Sequence, residues 1–371
     1  MTPLSLHEFH QSLGATFCEL NGEETVAHYG DWLAEHAALR ATAGVLDFGF
    51  RSRLCLTGAD RARFLHGQVT NNVKDLPTGA GCYAAVVNAK GKMESDLNIY
   101  NLPDELLLDF EPGFSQAIQQ RLEKYLVADD VQIVDAAPHY GLLSVQGPKA
   151  ADVVVALGLI GRDALPCVQA DQQVGPTIVK IPDEMLGELY LANQPRLGTS
   201  GFDIFAPTAS LGAVADKLIA GAKQTGGRAC GWQAFETARL EAGIPRYGVD
   251  MDESNLPLEC GIEAQAISYK KGCYIGQEVL NRIHSFGHVN RELRGLRLTS
   301  DLKTLPVKGD KLFKDDKEVG YLTSAVASPT FKANLALGYV RKESNEIGTE
   351  LTLRTGAGES RATISRLPFS N

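Results

Sequence analysis

The chain has 371 residues, too many for one typical domain and enough for two or three packed together. Apolar residues make up 44%, charged residues 22%, and the formal net charge is -9, the profile of a globular protein whose acidic balance argues against non-specific nucleic-acid binding. No early basic segment leads into an apolar core, and the longest apolar run, 153–160, is far too short to cross a bilayer. A cytoplasmic location without a membrane partner is therefore expected.

Residues 53–57 and 83–88 read as strands around a short helix at 60–68. Strands at 93–100 and 106–110 follow, turned by Leu102-Pro103-Asp104. Ser115 opens a helix with Ile118, Leu122, Tyr125 and Leu126 on one face, and a strand at 131–134 closes the section. The order suggests an α+β layer on an antiparallel sheet. Between 140 and 245, strands mix with three helices. One has Pro148 in its first turn and stops at Gly158; one is capped by Ser210 and stopped by Gly226-Gly227; one spans 232–242 and ends at Gly243. Beyond Arg291, short alternating runs at 295–298, 311–313, 319–322 and 335–340 predict a small β-barrel.

The seven cysteines (18, 55, 82, 167, 230, 260 and 273) are odd in number and lack a C-x-x-C pair, so neither a disulfide framework nor a thiolate metal site is expected. Cys55 and Cys82 fall on predicted strands and read as core residues. The histidines show no H-E-x-x-H; His284 and His288 are four apart without an acid at the right spacing. No metal site is expected.

Cys273 differs from the other thiols. In Lys271-Gly272-Cys273-Tyr274-Ile275-Gly276-Gln277-Glu278 it stands between glycines, just after Lys270 and Lys271. Ammonium groups favour a thiolate, and glycine lets a partner approach the backbone. From Lys270 to Arg294 there are five Lys/Arg against two Glu, so an anionic visitor is expected.

This octapeptide resembles the signature of the YgfZ family of folate-binding, iron–sulfur-related proteins, itself similar to the glycine cleavage T-protein, an aminomethyltransferase. Residues 142–150, 239–243, 248–252, 256–259, 320–324 and 336–340 resemble further family blocks in the expected order. The resemblance implies a three-domain aminomethyltransferase-like disc. Residues 1–50 with 141–290 would form a discontinuous folate-binding α+β domain, 51–140 a second α+β domain interleaved with it, and 291–371 a C-terminal β-barrel. It implies a reduced folate, tetrahydrofolate, as ligand. It also implies a role in assembly or repair of iron–sulfur enzymes, with iron–sulfur assembly proteins or client enzymes as partners. Cys273 would be the working thiol, as nucleophile or transient cluster contact, with Lys271 holding it ionised and Tyr274, Gln277 and Glu278 shaping the loop. Arg239 would meet folate carboxylates, unless it is an exposed helix cation paired to Glu236. Asn71 would orient a loop at the folate cavity.

Two departures bear on the alternative, a tetrahydrofolate-dependent aminomethyltransferase. The T-protein strand resembling Gly91 to Asp96 carries two acids; here Ser95 fills the first place and only Asp96 is acidic. Serine can hydrogen-bond folate but is a poor proton acceptor. Glu94 and Asp96 share one strand face, so Asp96 is the candidate acid, against the plainer reading of a solvated acidic face. Likewise Thr199 stands where the T-protein has a pterin-gripping glutamate, offering one contact in place of two.

Overall fold

A computed structural model describes residues 1–166, 175–299, 302 and 304–370; Cys167 lies outside them. Helix α1 (His7–Ser12) and the hairpin β1 (Thr16–Leu20)–β2 (Glu23–His28) lead into α2 (Trp32–Ala41) and β3 (Gly44–Asp47). The next section runs β4 (Ser52–Thr57), α3 (Arg61–Gln68), β5 (Gly81–Val87), β6 (Met93–Asn101), β7 (Leu106–Phe110), α4 (Ser115–Glu123) and β8 (Gln132–Asp135). Its strands form an antiparallel sheet in the order β5-β6-β7-β4-β8, as the sequence suggests. There follow β9 (Tyr140–Gln146), α5 (Ala150–Val155), β10 (Ile178–Asp183), β11 (Gly187–Asn193), β12 (Gly201–Pro207), α6 (Leu211–Gln224), β13 (Arg228–Ala229) and α7 (Trp232–Glu241). These strands join β3 in a second sheet, β10-β11-β12-β9-β3-β13, in which only the β13–β3 pair is parallel.

Strand parity explains how the sheets stack. On β9, Leu143 and Val145 face α5 and α6 with Phe202 and Ile204 of β12, while Leu142 faces the other way. On the first sheet, Leu54, Leu56, Leu106 and Leu108 face α3 and α4, where Phe64, Leu65, Ile118 and Leu122 meet them. The opposite faces meet each other: Leu46, Leu142 and Phe205 pack with Cys55, Tyr100 and Leu107 in one buried cluster. The result is helix, sheet, sheet, helix, with the cluster between the two sheets buried and Tyr83 and Asp96 only partly covered.

Short helices α8 (Glu263–Ala266) and α9 (Gln277–Phe286) lead to the barrel β14 (Arg291–Leu298), β15 (Lys311–Lys314), β16 (Lys317–Ser328), β17 (Ala333–Arg341), β18 (Glu350–Thr355) and β19 (Gly358–Ser365). It closes in the order β14-β17-β16-β15-β18-β19. Leu296, Leu312, Leu353 and Ile364 fill its interior, while Leu293, Leu337 and Tyr339 pack outward on Met93, Leu240 and Leu280. No helix among the described residues is long and apolar enough to cross a membrane.

Some local expectations change. Ser210 sits at the start of α6, but its hydroxyl donates to the Leu186 carbonyl (2.6 Å) instead of capping the helix. The helix after Pro148 stops at Val155, before Gly158, and α4 stops at Glu123, leaving Tyr125 exposed.

Gly320 shows how tightly the barrel is drawn. A Cβ there would lie 2.1 Å from the Tyr339 carbonyl oxygen on the neighbouring strand, with backbone unable to yield. Gly320→Ala is expected to lose about 2 kcal/mol or more in urea unfolding. Gly356→Ala, where nothing lies within 4 Å, should stay within about 0.5 kcal/mol.

Candidate functional site

Between the sheets, where the parity of β6, β7, β9 and β12 turns polar side chains inward, a line of alternating charges runs through the molecule. Asp203 accepts from Arg196 (2.5 Å), which also donates to Asp109 (2.7 Å). Asp109 accepts from Arg51 (2.6 Å), which donates to Glu111 (2.8 Å). Glu111 accepts from Arg246 (2.6 Å), and Arg246 reaches Glu236 (3.3 Å). Glu236 also holds Arg239, whose other arm donates to Asp250 (2.5 Å). Asp250 accepts from Thr323 and Ser324 of the barrel, both at 2.6 Å. Burial would push the Asp109 carboxyl up, but Arg51 and Arg196 outweigh it and hold it well below the usual range. Burial works likewise on Glu111, which Arg246 and Arg51 hold at about 2.

Asp96 stands apart. Asp109, Glu111, Asp203, Glu236 and Asp250 each hold a guanidinium, whereas the side-chain partner of Asp96 is the Tyr83 hydroxyl (2.7 Å). Burial, and then the charge of Glu111, push the Asp96 carboxyl up to about 6, only partly countered by Tyr83. Near neutral pH this group can take and return a proton.

Ser95 faces the other way on β6. It is fully buried, and its hydroxyl donates to the Asp96 carbonyl (3.2 Å), so it does not meet a ligand as the sequence reading has it. Glu94 departs from the plain solvated-face reading as well, being tied to Arg121 (2.7 Å). Arg239 is 1% exposed and so is not a surface helix cation; the Glu236 pairing holds, its other terminal nitrogen donates to Asp250 and the Ile244 carbonyl, and its Nε has no hydrogen-bond partner among the described residues. Asn71 orients its loop as expected, donating to the Tyr83 (2.8 Å) and Gln265 (2.9 Å) carbonyls. Asp250 joins α7 to the barrel, accepting from Arg239 on one side and from Thr323 and Ser324 on the other.

The Thr199 hydroxyl is buried without a hydrogen-bond partner. A buried hydroxyl left unpaired and a half-buried acid without an ion pair among the described residues are groups that a flat heterocycle rich in ring N–H groups would satisfy. Taken singly, each of these two groups suits a hydrogen-bonding edge of a pterin.

The Cys273 loop forms a second place of interest. Cys273 is exposed, whereas Cys55, Cys82, Cys230 and Cys260 are buried. It lines a cleft with Arg63, His66, Lys74, Asp75 and Lys270. Lys271 does not serve the thiol in the way the sequence suggests. Its ammonium donates to the His66 and Val69 carbonyls and lies 4.7 Å from the Tyr274 ring centre. Burial pushes Lys271 down to about 7. Tyr274 packs in the core, while Gln277 and Glu278 open α9 with Glu278 exposed. His284 does have an acid nearby: Glu263 folds back to it at 2.8 Å. Because access governs thiol chemistry, native-state alkylation should mark the Cys273 peptide before those of the four buried cysteines. Mass mapping checks this, and equal labelling of the buried thiols would contradict the placement.

Arg51, Arg196, Arg246, Asp109 and Glu111 escape the sequence reading. A signal was present: Asp109 interrupts the apolar run Leu106-Leu107-Leu108, and a lone acid in such a strand marks a buried charge in need of a partner.

The GCVT N-terminal domain family matches residues 6–271, and the glycine cleavage T-protein C-terminal barrel domain family matches residues 291–370. An aminomethyltransferase of Ralstonia pickettii is 30% identical over 379 residues, covering 98% of this chain and 96% of the relative. An aminomethyltransferase of Halalkalibacterium halodurans is 27% identical over 366 residues, covering 98% and 96%. The crystal structure of glycine cleavage system aminomethyltransferase T from Bartonella henselae superposes with a TM-score of 0.85 at 24% identity, covering 100% of this chain and 98% of that one, and shows a shared fold.

Proposed function

Because the chain belongs to the glycine cleavage T-protein family, we propose that it binds a reduced folate between its inner faces and transfers a one-carbon unit, as an aminomethyl group, to or from it. The observation that carries this reading is Asp96: a half-buried carboxyl at about 6, hydrogen-bonded to Tyr83 and without an ion pair among the described residues, Arg51 offsetting its burial only in part. The folate would supply the nitrogen that bonds to the aminomethyl carbon as that carbon's bond to its donor breaks, the amine leaving as ammonia; the reverse direction takes ammonia up. Asp96 would hold the proton that nitrogen gains or loses, with Tyr83 fixing the carboxylate's direction. Thr199 would meet a ring N–H. The charge ladder holds the walls in place, because each of its guanidiniums is already committed to protein carboxylates. The absent first acid of the strand does not weigh against transfer, since Ser95 faces away from the inner space. The test follows a labelled one-carbon unit from an aminomethyl donor to tetrahydrofolate by NMR. Folate-dependent turnover supports the reading, and its absence with an intact fold overturns it.

A second reading rests on Cys273, an exposed thiol in a cleft with three Lys/Arg side chains besides Lys271. In it the loop serves iron–sulfur enzymes. Cells lacking the gene, complemented with wild type or Cys273→Ala, separate the two. If [4Fe–4S] enzyme activity returns with wild type alone, the thiol reading stands; if it returns with both, that reading falls and folate chemistry remains.

A further inference from the structure

A cleft of about 850 Å³ lies on the outside of the barrel, at its junction with the segment that follows α9. Its size is that of a small-molecule site. Four Lys/Arg side chains line it, Arg291, Lys311, Arg341 and Lys342, against Glu318 and Glu343, in a chain of net charge -9. The register carries the stronger point. Arg291 on β14 stands directly opposite Arg341 on β17 in an antiparallel pair. Like charges so placed repel; Glu259 already offsets Arg291, whereas Arg341 makes no ion pair among the described residues.

The two arginines differ in their ties. Arg291 is anchored: it donates to the Ser254 carbonyl (2.8 Å) and to the Tyr321 hydroxyl (3.1 Å), and lies against Glu259 (3.3 Å). Its guanidinium also lies 5.1 Å from the Tyr339 ring centre. Among the described residues the side chains of Arg341 and Lys342 make no hydrogen bond or ion pair. The nearby acids are taken, Glu318 by Lys311 (3.0 Å) and Glu343 by Lys317 (3.7 Å). The cleft therefore has one fixed fork, a second fork and an ammonium without partners, and an aromatic floor of Tyr321 and Tyr339.

We propose that this cleft binds a small polyanion, a molecule carrying two or more carboxylate or phosphate groups, held between Arg291 and Arg341 with Lys342 at the rim. Paired guanidiniums suit such groups because each fork matches two oxygens. Asp96 does not line this cleft, so the proposal stands whether or not one-carbon transfer does.

Calorimetry at low salt would use citrate and pyrophosphate as probes. The full chain would be compared with the double variant Arg341→Ser/Lys342→Ser and with Lys223→Ser on the exposed side of α6. Wild type and Lys223→Ser should bind at least one probe with a Kd below about 1 mM, and the double variant at least tenfold more weakly. Which probe binds tells carboxylate from phosphate. Absence of binding by both probes, binding unchanged in the double variant, or equal loss in Lys223→Ser would each overturn the proposal. Both altered side chains of the double variant are exposed, so circular dichroism should show an unchanged fold.

Discussion

Asp96→Asn should lower folate-dependent turnover by about 10²–10⁴ while making the protein more stable above pH 6. The two effects share one cause. In the folded protein the carboxyl titrates at about 6, against an ordinary value of 3.8. Between these values the unfolded chain has released the proton and the folded one has kept it, so wild-type stability falls as pH rises through this window. Below pH 4 the neutral acid and the amide should be alike. Above pH 6 asparagine removes a buried charge, and the difference should approach about 3 kcal/mol, the worth of two pH units. Urea unfolding at pH 4 and pH 8 reads this directly. A stabilisation that does not grow with pH would mean Asp96 is solvated, and the case for it as proton carrier would fall with that result.

Arg196→Leu should cost about 3–5 kcal/mol, the usual penalty for breaking a buried ion pair from one side. The change strips Asp203 of its guanidinium, leaving it Ser144 (2.7 Å), while Asp109 keeps Arg51. The double variant Arg196→Leu/Asp203→Leu should recover a good part of the loss, since the penalty lies in the unpaired charge. If the double variant instead loses as much as the two single changes summed, packing and not charge accounts for the cost. The same ladder sets an acid limit. Asp109 and Glu111 titrate below their ordinary values in the folded state, so the stability they contribute is present above pH 4.5 and drains away as pH falls toward 2.

Periodicity made the sheets and barrel legible, because Leu54, Leu56, Leu106 and Leu108 alternate with their neighbours and the runs after Arg291 do the same. The first fifty residues yielded no elements, since α1, β1 and β2 are short and polar and take their order from contacts such as His10 with Asp47 (2.8 Å). The site was legible in part. Parity would put Glu94 and Asp96 on one face, but the β5–β6 register shifts beside Glu94, which turns to Arg121 of α4 while Asp96 meets Tyr83. The ladder joins Asp109 of β7 to Asp203 of β12 through Arg196, partners too distant in sequence for a strand pattern to pair. Lys271 shows the converse: its neighbourhood in sequence suggested Cys273, whereas its side chain runs inward to the carbonyls of 66 and 69.

The most direct measurement is an equilibrium titration with tetrahydrofolate, read by calorimetry and by fluorescence. Trp232 is one of two tryptophans and lies 4.4 Å from the Arg246 guanidinium, at the inner face. Wild type should give saturable heat and saturable quenching, with Trp232→Phe losing most of the quenching while keeping the heat. No heat and no quenching up to about 1 mM ligand would contradict a folate site at the centre of this fold.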